Sequence, residues 1–414
     1  MNENAQSLEE GTETSLTGPI EVQLVNRRMP RGSWSPAHLE EVRDQYQMFR
    51  ATALPYDFER PGNHFRFLVP NGHPPSLQMI TSDGGMGTPL ALTKTALSQF
   101  TNAVLVGGKK FYNGLLALAS MEDPESASGM HRQLAEAVVN EFLQRDEKLR
   151  LVRTFGRLPS HGPVVRAFLS QSYSIINDID LLQALLDNAD TANLPVLEVR
   201  STDAGTRIRL ALDPSVGYDQ QPELGKPIEL LEVWNSEVGR RGIWAVLGIW
   251  KLVCTNGLTG FDEKLRYIWR HSGRKERILS GVNEFIQASK TKVSGVLEAY
   301  RSAAEVHIQK LLGFVKALGT PNMPEDMRLT NRQVDRVTQA LSDPTTTRTR
   351  SNELTLASVV DAMTLTAQGE KDVFEAERIE HSAGYVLRRG LSASAKAGGT
   401  IEVQVEEDKA LVAW

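Results

Sequence analysis

A single cysteine, Cys254, stands among 414 residues, which excludes an internal disulfide and any metal site built from several thiolates. Its place beside Lys251-Leu252-Val253 suits a small core filler. No apolar run approaches the roughly 20 residues of a membrane span. The first residues (MNENAQSLEE) are polar, unlike a secretory leader, so the expected setting is a reducing cytoplasm with no membrane partner. The net charge of −5 offers no global attraction to a polyanion, and any such attraction must come from local patches. Cofactor fingerprints are missing as well. Asp83–Pro89 (DGGMGTP) is glycine-rich, yet no Gly-Lys-Ser/Thr follows it and the dinucleotide spacing is absent. His64 and His73 have no carboxylate at ligand-like spacing, so that stretch reads as a loop, and no metal or cofactor is expected.

What is present is ordinary for a folded chain, with 41% hydrophobic and 23% charged residues. The rest is organised around Pro227–Arg277. Ile228–Trp234 and Ile243–Cys254 are rich in Val, Ile, Leu and Trp and flank Gly239-Arg240-Arg241-Gly242, which predicts an antiparallel hairpin. In the second strand both faces are apolar, so it is expected to be central and covered on each side. Gly248 and an Asn256-Gly257 turn favour strand over buried helix. Lys264–Arg277 then carries Lys264, Arg266, Arg270, Arg274, Lys275 and Arg277 against Glu276, with Tyr267, Trp269 and His271 among them. Cations for phosphate and flat rings for base stacking are the chemistry of strand binding. A solvated helix start whose aromatics dock into the core has the same composition.

Along the chain, residues 1–28 read as a disordered acidic tail, although Ile20–Val25 alternates like a strand and its letters IEVQ return at Ile401–Gln404, as if the two paired. Residues 29–149 form a helical N-terminal part. Its helices begin at Ser35-Pro36 and near Leu92-Thr93 (Ala96, Leu97 and Phe100 on one face), and a third spans His131–Leu149 with Leu134, Val138, Phe142 and Leu149 as its buried stripe. Residues 150–320 form a central α+β domain: strand-type runs to Gly257, a short helix capped at Asn177-Asp178, and one helix-forming stretch over Ile278–Leu318 that Gly281, Gly295 and Gly313 bend or break. Residues 321–414 are helical, with a Leu391–Gly399 linker and a terminal strand. The fold class is α+β, a central, mostly antiparallel sheet covered by helices.

Three blocks carry a family likeness. Arg166, Leu169-Ser170, Tyr173 and Ile176-Asn177-Asp178 form one; Trp234-Asn235-Ser236-Glu237-Val238-Gly239 is the second; Val253-Cys254-Thr255-Asn256-Gly257-Leu258, followed by Arg270-His271, is the third. They resemble a phage and plasmid domain-of-unknown-function family, the "phage/plasmid-like proteins". Leu92–Phe100 and Asn352–Ala367 are similar to its outer elements, with Ala357-Ser358-Val359 departing from the usual run. The resemblance implies a mobile-element protein handling single strands in recombination or replication, and no reaction.

Enzymatic chemistry finds little footing. Ser236, Glu237 and His271 would need a Gly-x-Ser-x-Gly elbow that is absent; Asn235 and Ser236 suit a turn, with Glu237 paired to Arg240 or Arg241. Asp178 and Asp180 suit a helix start better than a metal. The expected function is non-enzymatic binding of single-stranded nucleic acid by a homo-oligomer, through Lys264, Arg266, Tyr267, Trp269, Arg270, His271, Arg274, Lys275 and Arg277. Arg150, Arg153, Arg157 and Arg166 would extend the patch. The competing reading is a phage structural or host-interaction protein.

Overall fold

The computed structural model of the chain describes residues 23–27, 38–53, 57–69, 75–108, 110–114, 130–158, 162–202, 205–214, 227–253, 256–289, 294–342, 355–370, 373–396, 400–401, 403–406 and 409–412. They form a mixed α+β fold in which twelve strands divide between two six-stranded sheets, where the sequence predicts one, and four more make two two-stranded sheets.

The N-terminal part is not simply helical. After β1 (Gln23–Arg27) and α1 (Leu39–Ala53) come β2 (Asp57–Pro61), β3 (Phe65–Leu68), β4 (Ser76–Met79) and β5 (Leu90–Leu92), then α2 (Lys94–Val104) and α3 (Met130–Gln144). β6 (Leu149–Leu158) and β7 (Gly162–Ser170), expected in the central sheet, complete this first sheet in the order β2-β6-β7-β5-β4-β3. Thr93 starts α2 by accepting from the Ala96 amide at 3.1 Å, and Ala96, Leu97 and Phe100 are buried as predicted. The buried stripe of α3 is Ala135, Val139 and Leu143, while Leu134 and Leu149 are exposed. Asn140 and Glu136 set that phase. Their side chains accept from Phe67 N (2.7 Å) and Val69 N (2.5 Å), satisfying amides along the edge strand β3.

Next follow α4 (Asp178–Asp187), β8 (Val196–Thr202), β9 (Thr206–Ala211), β10 (Pro227–Asn235), β11 (Ile243–Val253) and β12 (Asn256–Trp269). With β1 they make the second sheet, antiparallel throughout, in the order β1-β8-β9-β10-β11-β12. The β10–β11 hairpin forms as expected, in register from Pro227↔Lys251 to Trp234↔Trp244. Asn256-Gly257 is not the next turn: those residues pair with Val253 and Leu252, and Cys254 lies outside the described residues. Strand alternation gives the sheet two buried faces. Ile243, Ala245, Leu247, Leu231 and Val233 pack with α1, α4 and α5 (Lys275–Ser289), whereas Trp244 faces the C-terminal helices.

The helix-forming stretch 278–318 is divided into α5, α6 (Ser294–Ala303) and α7 (Leu311–Ala317), with β13 (His307–Ile308) between the last two. Then come α8 (Asn331–Ser342), α9 (Leu356–Gln368) and α10 (Val373–Lys396). α10 runs through most of the predicted linker, because Ala393 and Ser394 are small enough to bury. Tyr300, Phe314, Val337, Met363, Ile379 and Leu387 close this helical core. Among the described residues the two segments that share the letters IEVQ are not paired. β1 lies on β8, while β14 (Thr400–Ile401) joins β13, and β15 (Val403–Glu406) joins β16 (Lys409–Val412). Residues 1–22 lie outside the described residues.

Candidate nucleic-acid interface

β12 is the edge strand of the second sheet, and its period of two sorts the basic segment. Arg266 and Ile268 fall on the face of Trp244. Tyr267 and Trp269 fall on the face of α5. Arg266 turns inward, its guanidinium 5.2 Å over the Trp244 ring and an N–H donated to His381 Nδ1 at 3.2 Å. Lys275 is held by Asp180 at 2.8 Å. His271 is buried, stacked on Tyr173 at 4.7 Å, with Nδ1 donating to the Ser174 carbonyl at 3.1 Å. Burial lowers its pKa to about 4, so it stays neutral at physiological pH. Lys264 belongs to β12; its side chain lies outside the described residues.

Arg270, Arg274 and Arg277 remain exposed. With Tyr267 (54% exposed) and Trp269 they line one groove of about 1190 Å³ between the end of β12 and the first turns of α5. Glu276 and Glu284 also line it. The Tyr267 and Trp269 rings lie 4.6 Å apart, and Trp269 meets Phe285 edge-on at 6.2 Å. Of nine predicted contact residues, the fold therefore gathers five on one surface and turns Arg266, His271 and Lys275 to other partners.

Gly281 does not bend α5. A Cβ there would lie 2.4 Å from the Trp269 indole nitrogen, so this glycine is the seat of the groove's aromatic floor. Gly281→Ala adds helix propensity of about 1 kcal/mol, but displacing a packed indole costs about 1–3 kcal/mol. The expected net effect is a lower thermal midpoint with a shifted Trp emission; a raised midpoint with unchanged emission would show that Trp269 moves without cost.

Residues of the first two blocks that carry the family likeness meet elsewhere, in a buried polar knot joining the two sheets, whereas Asn256 and Gly257 of the third start β12 and Arg270 lines the groove. Arg166 of β7 donates to Glu237 Oε2 at 2.7 Å, and Asp178 N donates to Glu237 Oε1 at 2.7 Å. Arg153 of β6 reaches the Glu237 carbonyl (2.5 Å), Asn177 Oδ1 (2.7 Å) and Asp57 (3.0 Å). Asn235 donates to Asp178 Oδ1 at 2.7 Å and to the Ile176 carbonyl at 3.0 Å. Tyr46 and Thr206 both donate to Asp178 Oδ2 at 2.5 Å. Asn177 caps α4, its own amide held by Asp180 at 2.8 Å. Tyr173 closes the top, its hydroxyl on the Ser236 carbonyl at 2.7 Å and its ring beside Gly239, whose φ of +70° and lack of a Cβ that contact requires. Ser170 stands beside the knot, its hydroxyl 2.9 Å from that of Ser172 and its carbonyl accepting from Tyr173 N at 3.1 Å.

This knot is structural in its chemistry. Both Glu237 oxygens are engaged, and its ionic partner is Arg166 rather than the predicted Arg240 or Arg241. Ser236 Oγ accepts from the Arg240 amide at 3.1 Å, as a turn residue should. Burial, then the Glu237 charge, raises Asp178 to about 7. Its proton therefore favours the folded state at low pH, and that contribution is lost as pH rises through about 7. Arg150, Arg153 and Arg166 do not extend the exposed patch: all three are buried. The side chain of Arg157 lies outside the described residues.

A second buried charge layer ties α10 to the sheet. Arg209 bonds Glu232 (2.6 Å), Glu198 (2.8 Å) and Glu380 (2.6 Å), and Arg207 reaches Glu198 and Glu380. Nothing in the sequence singled these residues out except alternating charge in β9. Among the described residues no group of three or more His, Cys, Asp or Glu could hold a metal ion, and no helix is long and apolar enough to cross a membrane. Neither the models of known protein families, nor the curated proteins, nor the solved structures hold a match to this chain.

Proposed function

We propose that the chain binds single-stranded nucleic acid without catalysing a reaction, as a protein of the phage and plasmid lineage its sequence blocks resemble. The observation that carries this is the groove at the end of β12: three exposed arginines, Arg270, Arg274 and Arg277, beside an exposed Tyr267 ring that is backed by Trp269. Guanidinium groups track a phosphate backbone, and a supported ring offers its face to a base of any identity. The start of α5 points backbone amides and a partial positive charge at the same place. Glu276 and Glu284 offset part of the charge, so binding is expected to be moderate and strongly salt-dependent.

The test is retention of oligo(dT) by the full chain across a salt series. Retention at low ionic strength that fades as salt rises is expected, and Tyr267→Ala is expected to lose about 1–3 kcal/mol of affinity with the salt slope unchanged, since stacking releases no counterions. Absence of retention at low salt would leave a structural or host-interaction role as the better reading.

A further inference from the structure

On the other side of β12, the sheet and α10 line a separate, half-open cavity of about 470 Å³, within the about 300–1,000 Å³ of small-molecule sites. Trp244, Arg241 and Arg266 line it from the sheet, Asp326 from the segment before α8, and Glu377 from α10. Glu377 is 1% exposed. Arg241 donates to its Oε1, while its Oε2 has no hydrogen-bond partner, and neither has the buried Trp244 indole N–H. Buried polar atoms without partners are uncommon in folded proteins and call for one supplied from outside.

We infer that this cavity takes a guanine base, with Glu377 Oε2 accepting from the ring N1–H and the exocyclic amine while the Trp244 N–H or a neighbouring guanidinium donates to O6. The choice among bases follows from the donor set. Burial pushes the Glu377 carboxyl up to about 7; above that pH it is ionised and only accepts, and guanine is the base with two adjacent N–H donors beside a carbonyl acceptor on one edge. Adenine and cytosine would turn a ring-nitrogen lone pair toward the carboxylate. Uracil and thymine would turn carbonyls toward it. A site whose buried polar groups are matched by one ligand leaves them unpaired with the others, which is where discrimination arises. Ile268, half exposed, borders both this cavity and the arginine groove. A base on a strand lying in the groove is thus a candidate occupant, an arm of the inference that rests on the strand-binding reading; a free nucleotide is not bound by that condition.

The experiment titrates the full chain at pH 8, where Glu377 is ionised, with guanosine, adenosine, cytidine and uridine 5′-monophosphates, read by calorimetry and Trp emission. Saturable guanosine monophosphate binding at least about tenfold tighter than the other three is expected. Glu377→Gln should erase that preference, and Trp244→Phe, which keeps a ring and deletes the N–H, should weaken it; circular dichroism establishes that each variant is folded. Equal response to the four nucleotides, no response, or unchanged preference in folded Glu377→Gln overturns the inference. Oligo(dT) retention separates the two readings. If oligo(dT) is retained while the monophosphates bind alike, the cavity assignment fails and the groove stands; if guanosine monophosphate binds and oligo(dT) does not, the groove fails and the cavity stands. Tighter binding of a guanine-containing strand than of oligo(dT) assigns the base to a polymer, and equal retention of the two assigns the free nucleotide.

Discussion

Replacing Arg270, Arg274 and Arg277 together by Glu is expected to abolish retention of single-stranded DNA at low ionic strength, with no loss of fold. Each single-strand phosphate neutralised contributes about −0.7 to the slope of log affinity against log salt. Three contacts therefore give a slope of about −2, and a fourfold rise in salt costs the wild type roughly twentyfold in affinity. Charge reversal turns those three contacts into repulsions beside Glu276 and Glu284, already in the groove wall. Unfolding would not account for the loss. The three side chains are exposed, and surface substitutions away from special features stay within about ±0.5 kcal/mol. Acidic residues at the start of a helix are, if anything, favourable. Retention unchanged in the triple variant would show that the groove is not where a strand lies.

Cutting the knot between the sheets should have the largest effect on stability. Arg166→Met takes away the guanidinium that donates to Glu237 Oε2, and Glu237→Gln takes away the charge that the Arg166 guanidinium, 3% exposed, meets there. Removing one member of a buried pair costs about 3–5 kcal/mol, a large share of the about 5–15 kcal/mol typical of a folded domain. The double replacement should cost less than the sum, because the second change removes the stranded charge the first created. Urea denaturation of the two single variants and the double variant checks this. Strict additivity, or single losses under about 1 kcal/mol, would mean the pair contributes little. The sensitivity to pH has a sign as well. With Asp178 raised to about 7, wild-type stability should fall as pH rises through 7 relative to Asp178→Asn.

The sequence reading reaches local features and stops where partners are distant. The β10–β11 hairpin is legible because its apolar runs flank Gly239 and Gly242, and α2 because Thr93 precedes a helical stripe. Alternation does not say which strand a strand joins, so it assigns β6 and β7 to the central sheet when they belong to the other. Composition treats the basic segment as one patch, whereas the strand's parity decides its fate: Arg266 goes to Trp244 and Tyr267 to the groove. Asn235, Ser236 and Glu237 look like turn residues and are; that Glu237 reaches Arg166 is a contact across 71 positions, invisible to any local pattern. Tyr46 and Asp57 gave no signal, since each sits alone in its stretch and matters only through Asp178 and Arg153. Gly281 was legible as an exception in a helix, but its reason lies in a tryptophan twelve residues earlier.

The knot also dictates an order of events during synthesis. β6 and β7 leave the ribosome well before the turn that carries Glu237, and β1 must wait for β8. Until that turn emerges, Arg153 lacks the Glu237 carbonyl and Arg166 the Glu237 carboxylate that they bond in the finished fold. Contacts this far apart make folding slow and expose unfinished strands meanwhile, and a nascent chain stalled between residues 170 and 237 should be the form that chaperones hold longest.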